Sequence, residues 1–326
     1  MRLDGSDAAA IERAAEMLAQ GELVAFPTET VYGLGARADD DAATAKIFEA
    51  KGRPQDHPLI VHVADAAQLP RFAAGLPAVA CRLMDAFWPG PLTLILPRVA
   101  GAASAAAGGQ SSIGLRCPAH PVALALLAAA LRRGVPGVAA PSANRFGRIS
   151  PTRAAHVADE FGDTLAVLDG GACAVGIESS IVDCTRAHPV LLRPGMLARA
   201  RIEAAAGEPL LEPDAAAPRA PGTLAAHYAP NARLRVMSAT LLHMALHMLG
   251  AEPLKLAVYS RGAAPRAAVS IRHRRMPALP QQVAHELFAV LREFDADGAQ
   301  LIWVEEPPPD PAWDGVRDRL LRAAAS

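Results

Sequence analysis

Five prolines, at positions 209, 213, 218, 221 and 230, set the first constraint on how this 326-residue chain folds. Each removes a backbone donor and favours extended backbone, so no helix or central strand is expected to run through the segment. Residues 207–230 therefore read as a Pro-rich linker between a larger domain over 1–206 and a smaller one over 231–326.

Before the linker, apolar runs at 23–26, 59–63, 92–96 and 138–140 predict strands, alternating with amphipathic stretches at 41–51, 77–87, 120–133 and 151–161 that predict helices. The last of these helices has a legible start, with Ser150 as its cap and Pro151 in its first turn. After the linker, strands near 233–237, 254–259 and 300–304 interleave with helices near 239–249, 281–294 and 314–325. The pattern predicts an α/β fold with a second, smaller α/β domain of Rossmann-like type. A hydrophobic content of 52% with only 4% aromatic residues suits helices packed on sheets better than stacking surfaces.

Net charge is -1 with basic residues dispersed, which argues against a dedicated nucleic-acid binder and leaves room only for weak RNA contact. The N-terminus has no apolar signal region and the chain no run long enough to span a bilayer, so a cytoplasmic, membrane-free protein is expected. Cys81, Cys117, Cys173 and Cys184 form no C-x-x-C pair and are expected as reduced thiols.

The chemistry lies in polar segments at the ends of the predicted strands. The stretch from Phe26 to Gly35 reads as a ligand loop carrying Thr28, Glu29 and Thr30, its two glycines allowing close backbone approach. Gly33 comes six positions after Pro27, too late for the immediate turn of a dinucleotide fingerprint. Lys51 and Arg53 flank Gly52, an arrangement that serves equally as an anion site and as a helix C-cap. Arg116 closes one predicted strand and Arg193 another, so Arg53, Arg116 and Arg193 stand at comparable loop positions and point to polyanion binding in a shared cleft. No P-loop of the form G-x-x-x-x-G-K-[ST] occurs, so an ATP site must be of another design. His243 and His247 have a metal-compatible spacing without a third ligand, and the basic run Arg272 to Arg275 reads as a solvated loop or strand end.

Taken in order, FPTETVYGLGA (26–36), KGRP (51–54), PLIVHV (58–63), WPGPLTLIL (88–96), LRCP (115–118), APSAN (140–144), GIESSIVD (176–183) and LLRPG (191–195) resemble the YrdC-type threonylcarbamoyl-AMP synthases over about residues 10–205. The APGTLAAHYAP segment (220–230) is similar to the linker of the long, two-domain form. The resemblance implies a twisted mixed α/β sheet with a concave basic pocket, Mg-ATP as cosubstrate with Mg held through its phosphates rather than by assigned side chains, and L-threonine and bicarbonate as the other substrates. It further implies hand-over of the adenylate to a downstream threonylcarbamoyl transferase acting on tRNA.

Carried over by position, the resemblance implies L-threonine binding at Thr30, His62, Arg116 and Ser179. It implies ATP binding at Lys51, Arg53, Ser112, Ser142, Asn144, Ser150 and Arg193, with Lys51, Arg53 and Arg193 in the catalytic role. His57 stands where many relatives have Asn, and His227 with Tyr228 would form a lid over the nucleotide or else dock the domains. Two other readings remain at this stage, an RNA-binding or ribosome-maturation module on the same fold and a carbamoyltransferase related to hydrogenase-maturation proteins. The second would need acylphosphatase-like and cysteine-rich zinc segments that the chain lacks.

Overall fold

A computed structural model describes residues 1–249, 255–262 and 271–326. It divides into two compact units, Met1–Phe146 with Ser150–Thr223, and Gly147–Ile149 with Leu224–Ser326.

The first unit is built on one mixed sheet. Its strands are β1 (Arg2–Asp4), β2 (Val24–Phe26), β3 (Gly33–Arg37), β4 (Ile60–His62), β5 (Leu92–Pro97), β6 (Ser112–Arg116), β7 (Val138–Ala139), β8 (Ala166–Asp169), β9 (Ser180–Asp183) and β10 (Val190–Arg193). They lie in the order β1-β8-β2-β3-β7-β4-β6-β5-β9-β10. The accompanying helices are α1 (Ala8–Ala19), α2 (Asp41–Lys51), α3 (Ala78–Phe87), α4 (Pro121–Arg132), α5 (Ala154–Phe161) and α6 (Arg199–Ala206). Because side chains alternate along a strand, β2 feeds two cores. Val24 and Phe26 pack with Ala14, Leu18, Leu126 and Ala130 of α1 and α4, while Ala25 joins the larger core that holds Ile47, Leu83 and Ile202 of α2, α3 and α6.

Three sequence expectations change here. The stretch from Phe26 to Gly35 is not all loop: Gly33–Arg37 is a strand antiparallel to β2, with Phe26 opposite Gly33. Gly35 sits there because a Cβ would come within 2.8 Å of Phe26 and of Val138, so the missing side chain makes room for an aromatic ring. Helix α5 starts at Ala154 with Arg153 before it, and Ser150 does not cap it. The carbonyls of Pro151 and Thr152 accept from Tyr32 N at 2.8 Å and Cys173 N at 3.0 Å, which ties this stretch to neighbouring loops instead of a helical turn. The segment after Gly207 is no bare extended tether. Leu211 bridges to Val190, Ala220 is buried with Ile60, Ile95 and Ile181, and Arg219 and Gln110 exchange hydrogen bonds of 2.8 and 3.1 Å.

The second unit has β11 (Arg233–Met237), β12 (Leu256–Ser260), β13 (Arg272–Arg275) and β14 (Leu301–Glu305), all parallel, in the order β11-β14-β12-β13. Helices α7 (Ala239–His247), α8 (Pro280–Ala296) and α9 (Asp314–Ala324) accompany them. Val283, Leu287, Val290, Leu291 and Phe294 give α8 a buried stripe at helical spacing. The predicted strand start at Leu254 lies outside the described residues. The basic run Arg272 to Arg275 forms strand β13, where Arg272 pairs with Asp297 at 3.1 Å and Arg274 with Glu286 at 2.7 Å. Among the described residues no helix is long and apolar enough to cross a membrane. All four cysteines are free thiols, with Cys81 half-buried and the others buried.

Candidate active site

The site grows from strand directions. β4 and β6 run parallel with His62 opposite Arg116, so both side chains leave the sheet at the same edge. β5 runs antiparallel to β6 and parallel to β9, and β10 returns antiparallel with Arg193 opposite Ile181. Thr93, Ser179 and Arg193 consequently collect at that edge as well.

Arg116 is 3% exposed, and its buried Nη2 makes no hydrogen bond among the described residues. Nε donates to Gly90 O at 3.1 Å, Nη1 donates to Thr30 Oγ1 at 2.9 Å, and Nη2 lies 2.7 Å from Glu29 Oε1. Gly90 itself allows no Cβ, which would lie 2.2 Å from Phe87 O, so the carbonyl that steers Arg116 depends on glycine. The Thr28 hydroxyl donates to Val31 O at 2.7 Å, and Thr30 Oγ1 lies 2.8 Å from Thr28 Oγ1. Because Thr28 has spent its one proton, Thr30 is the donor in that pair.

His62 is buried edge-on against Phe26, with ring centroids 6.0 Å apart. Burial, followed by the neighbouring Arg116 charge, pushes its pKa down to about 3, so the imidazole is neutral. Ser179 Oγ shares a 2.8 Å hydrogen bond with Thr93 Oγ1. Its carbonyl accepts from Arg193 Nε at 3.2 Å and Nη2 at 3.0 Å, while Arg193 Nη1 donates to Pro221 O at 2.8 Å. Ser150 donates a short hydrogen bond to Glu178, and both are buried. The loops are laced together through Val175 N to Glu29 O at 2.7 Å and Gly176 N to Thr30 O at 3.2 Å.

A second group gathers before β4. Lys51 ends α2, with Gly52 in the left-handed conformation at φ 62°, so the helix-cap reading of this pair holds. The buried ammonium also donates to Ser142 O at 2.6 Å and to Asn144 O. Burial, and then the Arg53 charge, hold its pKa well below the usual lysine range. Arg53 Nη2 donates to Pro58 O at 2.9 Å and its guanidinium lies 5.5 Å from the Phe146 ring, against which His57 packs edge-on at 5.4 Å. Burial, followed by Arg53, also lowers the His57 pKa. Ser112 begins β6, at the opposite end of that strand from Arg116.

The three arginines are held by different contacts. Arg116 and Arg193 end strands at one edge of the sheet, while Arg53 lies in the loop between α2 and β4. His227 and Tyr228 belong to the second unit. There Tyr228 stacks on Phe288 at 5.5 Å, with Arg319 5.4 Å from its ring, and His227 Nδ1 accepts from Tyr228 N at 2.9 Å. The sequence marks Glu29 only as the carboxylate of the 26–35 ligand loop, and it does not mark Thr93 or Glu178 as site residues. Glu29 and Glu178 stand inside the TET and GIESS runs, but their partners Arg116 and Ser150 are distant in sequence.

A buried cation-rich edge with a neighbouring carboxylate and hydroxyls, on a mixed sheet joined to a second α/β unit, defines an enzyme that handles anionic small molecules. Residues 16–195 match the family model described as Telomere recombination, and residues 195–325 match that of the threonylcarbamoyl-AMP synthase C-terminal domain. The Bacillus subtilis threonylcarbamoyl-AMP synthase is 39% identical over 324 residues, covering 96% of this chain and 92% of that protein. The Pyrococcus abyssi enzyme is likewise 39% identical, covering 96% and 94%. The crystal structure of P. abyssi Sua5 complexed with L-threonine superposes with a TM-score of 0.89 at 36% identity, over 99% of this chain and 97% of that one. The chain belongs to the threonylcarbamoyl-AMP synthase family, in its two-domain form.

Proposed function

We propose that this chain makes L-threonylcarbamoyladenylate from L-threonine, bicarbonate and ATP, releasing pyrophosphate. The observation that carries the reading is Arg116, a buried guanidinium hydrogen-bonded to Thr30 at 2.9 Å beside a neutral His62, in a chain that aligns with such synthases along nearly its whole length. Arg116 takes the amino-acid carboxylate, with Thr30, His62 and Ser179 around it. The threonine nitrogen bonds to the bicarbonate carbon, water leaves, and a carbamate oxygen then attacks the α-phosphorus of ATP. One P–O bond forms as the bond to the β-phosphate breaks.

Mg enters with the ATP phosphates as part of that substrate. Arg53, with His57, Ser112, Ser142, Asn144 and Ser150, holds the nucleotide, and Arg193 offsets charge at the reacting phosphorus. Lys51 works through its two carbonyl contacts, fixing the Ser142–Asn144 turn against the end of α2. No covalent enzyme intermediate is required, so catalysis is positioning plus electrostatics. His227 and Tyr228 serve as a lid over the nucleotide. The adenylate passes to a threonylcarbamoyl transferase that modifies adenosine 37 of tRNAs reading ANN codons, with at most weak RNA contact by this protein, in the cytoplasm.

The test is pyrophosphate release with ATP, Mg, bicarbonate and one amino acid at a time. L-Threonine is expected to stimulate release well above serine, valine or buffer. Equal rates with all of them would remove the reading.

A further inference from the structure

Glu29 is 8% exposed, and the protein spends almost none of its hydrogen-bonding capacity. Its one close partner is Arg116 Nη2 at 2.7 Å, off the hydrogen-bond axis, and neither carboxylate oxygen accepts a hydrogen bond among the described residues. The adjacent Thr30 hydroxyl offers no help, since it receives Arg116 and has given its own proton to Thr28. Meanwhile the main chain holds Glu29 firmly, its carbonyl accepting from Val175 N at 2.7 Å. A buried carboxylate with open lone pairs is costly unless a donor arrives to complete it.

The ligand that completes this arrangement carries an anion and a cation side by side, as a free amino acid does. We propose that Glu29 is a catalytic residue for carbamate formation: it receives the ammonium of the amino acid whose carboxylate Arg116 receives, and it takes the proton that blocks attack by that nitrogen. The assignment rests on the synthase reaction proposed above and adds to it the missing proton acceptor. As one N–H proton moves to Glu29 Oε, the nitrogen lone pair forms the N–C bond to bicarbonate, the C–O bond breaks, and the departing hydroxide takes a second N–H proton and leaves as water. Ammonium, bicarbonate and carboxylate thus become carbamate, water and carboxylic acid, with atoms and charge conserved. The groups facing Glu29 do not compete for this task. Burial, then Asp65 and Glu29, push the Cys117 thiol up to about 11; burial followed by Glu29 raises the Cys173 thiol further. His120 is held low by burial, with Glu29 opposing.

Glu29→Gln keeps the shape and removes the acceptor. Its forward rate of threonine-dependent pyrophosphate release at pH 7 is expected to fall about 100-fold or more, within the usual range for loss of a general base. Formation of ATP from purified threonylcarbamoyladenylate and pyrophosphate, which bypasses carbamate formation, is expected to stay within about threefold of the parent protein. Raising the pH from 7 to 9 carries the α-amino group through its pKa and supplies free amine from solution, so the forward deficit is expected to shrink by up to about tenfold in all. Glu29→Asp retains the charge and provides a second reading should the glutamine variant fold poorly, with a smaller forward loss and the same intact reverse reaction. Equal loss in both directions, or a deficit independent of pH, would make Glu29 only a prop for Arg116 and overturn the proposal. Absence of threonine stimulation in the parent protein would instead reject the synthase reading itself.

Discussion

Replacing Arg116 by Met separates what the guanidinium does for the fold from what it does for the ligand. The side chain is buried, bonded to Gly90 O and Thr30 Oγ1, and paired with a Glu29 carboxylate whose side chain is 10% exposed. Removing one partner of such a pair leaves an uncompensated buried charge and costs about 3–5 kcal/mol. For a unit of this size that corresponds to a fall in Tm of about 6–20 °C. The double variant Arg116→Met, Glu29→Gln carries no orphaned charge and is expected to recover most of that loss. Threonine affinity behaves differently, because the lost charge-assisted contact to its carboxylate is worth about 1.5–3 kcal/mol, or one to two decades, and the second substitution does not restore it. Calorimetric unfolding and threonine titration of the single and double variants provide the measurements. A single variant as stable as the parent, or a double variant that binds threonine normally, would refute this account of the site.

Other outcomes follow from the remaining contacts. Arg193 donates to Pro221 O, so Arg193→Ala is expected to loosen the 208–223 segment and speed proteolytic cutting there, with ATP and threonine slowing the cut less than in the parent; an unchanged cleavage rate would oppose this. Lys51→Met, which releases the carbonyls of Ser142 and Asn144, is expected to raise the ATP requirement at least tenfold while leaving threonine binding within twofold, checked by titrating each ligand separately. His62 is neutral in the fold, its pKa pushed down to about 3, but takes a proton near pH 6.5 when unfolded. Its contribution is therefore present above pH 6.5 and lost as pH falls toward 3, at up to about 1.4 kcal/mol per unit. His62→Asn is expected to flatten the stability profile between pH 6.5 and 4.5, and chemical denaturation at several pH values reads this directly. His227→Ala with Tyr228→Phe is expected to keep the fold and lose most adenylate formation, by admitting water to the carbamate, and full activity would reduce that segment to a docking contact.

Much of this architecture is legible in local patterns. Strands such as β5 and β11 and helices such as α2 and α8 read directly, because their apolar spacing coincides with what they bury. The hairpin of β2 and β3 does not, since Gly33 and Gly35 carry the composition of a loop; what makes them a strand is a ring from Phe26 that only the folded sheet supplies. Ser150 looks like a cap in sequence because capping is a local rule, whereas Glu178, its partner, lies on another loop. The prolines after Gly207 mark an irregular segment correctly but say nothing of the surface that Leu211 and Ala220 occupy. Likewise Arg116 can be picked from its strand end, while its pairing with Glu29 depends on a tertiary contact that no spacing encodes.

The central claim is that threonine, bicarbonate and ATP are joined in one product, and isotopic labelling tests it most directly. With ATP, Mg, L-threonine and 13C-bicarbonate, the protein is expected to yield an AMP conjugate whose mass contains threonine and one labelled carbon, formed in step with pyrophosphate. Pyrophosphate released without that conjugate, or a conjugate of AMP and threonine lacking the label, would contradict the account.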